Sequence, residues 1–171
     1  DNPCIAAPLK LSDCSPITDG AAALVLSSKR FLKRLTSARA MRLRGYGHTT
    51  DYLALDRKDA PPFSIAIKAA AEAYTTAGLG PADLHGAEVH DCFTITEILD
   101  IEDLGFCDKG KGGPFTADGN TALDGSIPVN TSGGLLAKGH PIGATGIAQL
   151  TELWWQLREE AGDRQVALRT G

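Results

Sequence analysis

No apolar run in the sequence approaches the roughly 20 residues a helix needs to cross a bilayer, so no stretch reads as a membrane span. A positively charged start followed by an apolar stretch and a small-residue cleavage site is also missing, and with it any sign of a secretory signal. Basic residues are too few and too scattered to form a binding stripe: 17 basic side chains stand against 21 acidic ones, for a formal net charge of −4. Nothing in that balance calls for nucleic acid. The densest basic stretch, residues 29–44, reads as the solvated face of a helix followed by a strand. Cysteine is scarce as well. Cys4, Cys14, Cys92 and Cys107 have no Cys-x-x-Cys spacing, so neither a zinc pattern nor a disulfide scaffold is visible, and no metal site is expected. Reduced thiols in a cytosol-like compartment fit better.

What is present is the make-up of a globular domain. The chain has 171 residues, 43% hydrophobic and 22% charged, enough for one ordinary domain with a real core. The short apolar run at residues 21–26, after a turn-rich segment, suits a buried strand. Residues 27–35 suit a short helix capped by Ser27 or Ser28, and residues 38–47 a strand. Pro62 and Ser64 open a strong helix over residues 65–77 that stops at Gly78. A brief strand at residues 86–90 leads to a helix over 94–104, where Thr94 and Glu97 fit a capping box and Gly105 ends the helix. Residues 107–126 are rich in Gly, Asp, Lys and Thr and are expected to lack regular structure. A strand at 127–130 and a glycine-rich turn precede a long helix over 142–160, with Ile147, Leu150, Leu153, Trp154 and Leu157 on one face. A last strand begins at Gln165. Strands alternating with helices predict a layered α/β domain, and both edges look cut.

Two clusters carry the chemistry. His90-Asp91-Cys92-Phe93 stands where a strand ends and a helix begins. So does the stretch from Asn130-Thr131-Ser132-Gly133-Gly134 to Lys138-Gly139-His140-Pro141-Ile142-Gly143-Ala144-Thr145-Gly146. Sites in α/β sheets form beyond the carboxyl ends of strands. A thiol beside an imidazole can act as a nucleophile or base, and two histidines aimed at one point can donate hydrogen bonds to a developing oxyanion. Each cluster also has a structural reading. A buried His or Cys can be packing, glycine turns are common, and Gly133–Gly146 matches neither a dinucleotide loop nor a P-loop. Cys4, Cys14 and Cys107 read as inert, His48 and His85 as loop residues, and Trp154-Trp155 as packing with one ring inward. From the residues alone the conclusion stops at a Cys/His acyl- or proton-transfer site.

Those clusters resemble the thiolase superfamily. Gly133-Gly134-x-x-x-x-Gly139-His140-Pro141-x-Gly143-Ala144-Thr145-Gly146 is similar to that family's carboxy-terminal signature. His90-Asp91-Cys92-Phe93, in place of Asn-Glu-Ala-Phe, is similar to the form in sterol carrier protein-type thiolases. Residues 13–23 resemble the end of the amino-terminal thiolase domain. The resemblance runs from about Pro8 to Arg169 and implies a layered α-β-α thiolase-like fold, truncated at both ends. Residues 1–36 would close the amino-terminal domain, and 37–171 would form a carboxy-terminal domain without its last strands.

The resemblance also implies roles. His140 would take the proton of the nucleophilic cysteine, Cys92 would be the second, acid/base cysteine, and His90 would help His140 bind the enolate oxygen. Asn130, Gly133, Gly134, Gly139 and Phe93 would line the substrate. The reaction would be 3-ketoacyl-CoA plus CoA giving acyl-CoA plus acetyl-CoA, or its reverse. Coenzyme A enters as substrate, with no bound cofactor, nucleic acid or membrane. A homodimer or homotetramer is implied for the complete protein, in the cytoplasm, or in a peroxisome if the source is eukaryotic. None of the four cysteines sits in the context of the family's nucleophile, which implies that the nucleophile lies outside this chain and that the chain alone is inactive. The alternatives are a thiolase-like aldolase acting on 3-hydroxyacyl-CoA and a non-catalytic thiolase-like subunit.

Overall fold

The computed structural model describes residues 1–35, 40–52, 54 and 64–168. A small hairpin opens it, β1 (Cys4–Ala6) against β2 (Leu9–Lys10), antiparallel. Six helices follow among the described residues: α1 (Lys29–Leu32), α2 (Ser64–Ala77), α3 (Thr94–Asp103), α4 (Gly112–Ala117), α5 (Gly134–Lys138) and α6 (Thr145–Leu157). Several sequence signals are met. Ser28 caps α1, its hydroxyl accepting the Phe31 N–H at 3.2 Å. Gly78 and Gly105 follow α2 and α3 with φ of +67° and +80°, the left-handed geometry that ends a helix without a Cβ penalty. Pro62 lies outside the described residues.

The predicted strands at 86–90 and 127–130 lie side by side and parallel. They are joined at Ala87 and Val129, with Ala87 N–H on the Pro128 carbonyl at 2.9 Å and Asn130 N–H on the Ala87 carbonyl at 2.8 Å. Val89, Val129 and Ile101 of α3 form the centre of the core, and Leu104, Phe106, Cys107 and Phe115 pack around them. This pair of extended segments aims two chain ends, His90 and Asn130, at the same side of the molecule.

Elsewhere the local signals give way to tertiary packing. Residues 21–26 are extended but not buried: Val25 and Leu26 are 95% and 86% exposed, with no ladder partner among the described residues. Of the strand expected at 38–47, residues 38 and 39 lie outside the described set. The rest runs extended along α2, opposite in direction. Arg44 Nη2 donates to the Ala77 carbonyl at 3.0 Å and Thr49 Oγ1 to the Ile65 carbonyl at 2.9 Å. Gly45 and Gly47 make the approach possible, since a Cβ at either would collide with the carbonyls of Ala73 and Ala69. The stretch 107–126 is not irregular throughout, because it contains α4.

The capping box at Thr94 is also absent. Phe93 is the residue at the helix boundary, and the Thr94 hydroxyl donates instead to Asp13 Oδ1 at 3.2 Å. Helix α6 is shorter than expected, because Pro141 to Ala144 form the turn that leads into it. Its buried positions are Thr145, Glu152 and Gln156 rather than an apolar stripe, and Leu150 is 48% exposed. Trp155 is partly exposed, and Trp154 is half-buried with the Arg158 guanidinium 4.0 Å from its ring centre. Residues 165–168 are extended without a ladder partner among the described residues.

Candidate functional site

The segment Cys14–Ile17 stitches the two clusters together. Cys14 bridges antiparallel to Phe93, and Ser15 N–H donates to the Cys92 carbonyl at 2.9 Å. Three residues on, Ile17 bridges parallel to His140, whose N–H donates to the Pro16 carbonyl at 2.8 Å. One short extended segment therefore pins Cys92 with one end and His140 with the other. The sequence offered Cys14 only as an inert thiol; it is the backbone here that matters.

With the two ends pinned, the imidazoles of His90 and His140 meet edge to face, ring centres 4.9 Å apart and planes 78° apart. Burial, with the nearby His140, lowers the pKa of His90 against a smaller opposing pull from Asp91. The shift favours the uncharged ring, which has one N–H to donate. His140 Nδ1 lies 2.7 Å from Thr145 Oγ1. Cys92 Sγ lies 3.7 Å from Thr96 Oγ1 on the first turn of α3. A cleft of about 350 Å³ is lined by Thr18, Asp19, Gly20 and Ala22 on one side and Pro141 and Gly143 on the other, and none of His90, Cys92 and His140 lines it.

Asp91, between His90 and Cys92, is 2% exposed and serves the fold. Its carboxylate accepts the N–H groups of Leu135 at 2.8 Å and Leu136 at 3.3 Å, the free donors at the start of α5. Gly134, at φ +62°, is caged by that carboxylate, which a Cβ would strike. Gly133, at φ +91°, is the residue that turns the chain into α5. Gly139, at φ +84°, lies against Thr18, whose hydroxyl is buried with no hydrogen-bond partner among the described residues. These glycines shape the backbone around the histidines.

Asn130 is buried. Its Oδ1 accepts the Val89 N–H at 2.8 Å and its Nδ2 donates to Glu97 at 2.8 Å, at a φ of +53°. Its amide ties the two parallel segments to each other and to α3. Phe93 is 43% exposed beside the site. His48 is exposed, and His85 borders a separate hollow with Leu123 and Pro128.

Beneath His90 lies an acidic layer that sequence reasoning missed. Burial raises the Glu97 carboxyl. It pushes Asp100 up to about 6, with repulsion from Glu97 and Asp91 adding to the shift and the His90 backbone N–H opposing it. Because this folded value lies above the unfolded one of about 3.9, the folded protein holds the proton more tightly. The contribution of Asp100 to stability is fully present below about pH 4 and is lost as pH rises through 6. Asp100→Asn keeps an acceptor for the His90 N–H and removes the charge. It is expected to stabilise the protein by about 1–2 kcal/mol at about pH 8, after discounting for partial solvent access. The gain should vanish near about pH 4. Urea unfolding at the two pH values measures it, and equal gains at both would contradict the assignment.

A family model described as thiolase C-terminal domain-like matches residues 46–170. The chain is similar to an acetyl-CoA acetyltransferase of Methanothermobacter thermautotrophicus, 50% identical over 163 residues that make up 95% of this chain and 42% of the relative. It is similar to sterol carrier protein 2 of Oryctolagus cuniculus, 42% identical over 92% of this chain and 30% of the relative. Among solved structures it resembles one described as Ltp2-ChsH2(DUF35) aldolase, with a TM-score of 0.77 and 26% identity over 94% of this chain and 42% of that one. The chain spans less than half the length of these relatives.

Proposed function

The chain belongs to the thiolase C-terminal domain-like family, and on that premise we propose that it supplies the acid–base half of a thiolase site. The substrates are 3-ketoacyl-CoA and CoA, and the nucleophilic cysteine lies outside this chain. The observation that carries this is the meeting of His90 and His140, 4.9 Å apart and held beside Cys92 by one backbone segment. The kinship to proteins named acetyl-CoA acetyltransferase supports the substrate class.

In the forward direction the nucleophile's S–H bond breaks and its proton passes to His140. The thiolate attacks the 3-keto carbon, and the bond between carbons 2 and 3 then breaks. Its electron pair moves onto the thioester as an enolate, whose oxygen accepts hydrogen bonds from His90 and His140. Cys92 gives its proton to carbon 2, releasing acetyl-CoA. The incoming CoA thiol passes its proton to Cys92, and its sulfur takes the acyl group. The nucleophile leaves as a thiolate and recovers its proton from His140. A covalent acyl-enzyme divides one difficult transfer into two easier ones.

A second reading is supported by the likeness to a structure described as an aldolase: cleavage of a 3-hydroxyacyl-CoA with no covalent step. One experiment separates the two. The complete protein is incubated with a 3-ketoacyl-CoA, with and without CoA, and its intact mass is recorded. A CoA-dependent release of acetyl-CoA and a mass gain equal to one acyl group are expected. Turnover of a 3-hydroxyacyl-CoA that needs no CoA and leaves the mass unchanged would favour the aldolase and sink the thiolase.

A further inference from the structure

Resting on the role given to His140, we propose that Thr145 is its positioning residue, holding the ring as the Nδ1–H tautomer so that Nε2 is the nitrogen that accepts the proton. Thr145 is the first residue of α6 and is 6% exposed. Its Oγ1 sits 2.7 Å from His140 Nδ1 and 3.2 Å from the carbonyl oxygen of Pro141. A hydroxyl has one proton to give. A carbonyl can only accept, so the Thr145 proton points to Pro141 and the Thr145 oxygen accepts from Nδ1–H. A neutral imidazole carries a single N–H, which leaves Nε2 bare.

The chain Nδ1–H to Oγ1–H to O=C has a further property. It is complete while the ring is neutral, and it stays complete when Nε2 gains a proton and the ring becomes an imidazolium, because Nδ1 donates in both states. No group has to turn during the transfer, which is the condition for a preorganised site. The opposite arrangement, with Thr145 donating to Nδ1, would place the only N–H on Nε2. Such a ring could bind an oxyanion but could not take a proton there. The tautomer of His140 thus decides whether this residue can serve as the base of a thiolase at all.

Pro141 and the turn to Ala144 make the arrangement possible. The Pro141 carbonyl also accepts the backbone N–H groups of Ala144 at 2.8 Å and Thr145 at 3.0 Å. That fixes the turn between His140 and the start of α6, so the separation of five residues brings the hydroxyl under the ring. Other helix threonines here, Thr75, Thr76 and Thr151, donate to the carbonyl four residues back in the same way. Thr145 follows their habit with its proton and turns its lone pair to the histidine.

The test is long-range proton–nitrogen NMR on the complete protein with 15N-labelled histidine, wild type, Thr145→Val and Thr145→Ser, without substrate. Wild type and Thr145→Ser are expected to show His140 protonated at Nδ1 and bare at Nε2. Thr145→Val should show the Nε2–H form gaining ground. In parallel, kcat/KM for thiolysis should fall on the order of ten- to a hundredfold in Thr145→Val, a fraction of what a positioned general base contributes, and Thr145→Ser should restore it. A wild-type His140 protonated at Nε2 overturns the proposal. So does a Thr145→Val variant with unchanged tautomer and rate. If Thr145→Val does not fold, the wild-type tautomer decides alone. The NMR result is independent of turnover, so it stands or falls separately from the assignment of thiolysis.

Discussion

His140→Ala is expected to lower kcat/KM for thiolysis by at least about a thousandfold while leaving the fold intact. Two losses combine. A positioned general base contributes roughly 10²–10⁴-fold, and one oxyanion donor roughly 10²–10³-fold; losses of this kind overlap rather than multiply. The fold should tolerate the change because His140 is held by its backbone. Its N–H rests on the Pro16 carbonyl and its chain bridges Ile17, and alanine keeps both. The side chain contributes the single hydrogen bond to Thr145. The check is a rate measurement in the complete protein together with its urea midpoint. Retained thiolysis would remove His140 from the mechanism. A collapsed midpoint would show that the ring is structural.

The second large effect is on stability. Asp91→Ala is expected to cost about 2–4 kcal/mol, a sizeable part of the roughly 5–15 kcal/mol that holds a domain together. It would strand the buried Leu135 N–H and the part-buried Leu136 N–H beside Gly134. Asp91→Asn should cost less, about 1–2 kcal/mol, because one amide oxygen can still accept while its NH₂ group faces the second donor. Denaturant unfolding, with the slope checked for constancy, reads both. An unchanged midpoint for Asp91→Ala would refute the clamp. Because Asp91 stands between His90 and Cys92, the activity that remains per folded molecule should fall as well.

How much of this was legible beforehand differs by element. Helices α2 and α3 were readable because their stop signals are local: each is followed by a glycine at positive φ, Gly78 and Gly105. The motifs holding His90, Cys92 and His140 were readable too, since they stand at a strand end and a helix start, and the structure brings the two histidine rings together. The segment at residues 21–26 misled for a physical reason. An apolar run signals that side chains want neighbours, but it cannot say which, and Val25 and Leu26 are exposed here. Residues 40–47 misled differently, because Gly45 and Gly47, read as part of a strand, are the positions that let the chain lie against α2. The hydrogen bonds of the Asn130 amide to Val89 and to Glu97 of α3 could not be read from its motif.

The sequence by itself determined the family and the helices α2, α3 and α6, because motif spacing and helix stop signals depend on residues near one another in the chain. Only the tertiary structure decided how the pieces converge. The backbone of Cys14–Ile17 pins two motifs about 50 residues apart, Asp91 clamps α5, and Thr145 meets the ring of His140. Such contacts depend on distance and direction in space, and a one-dimensional pattern records neither.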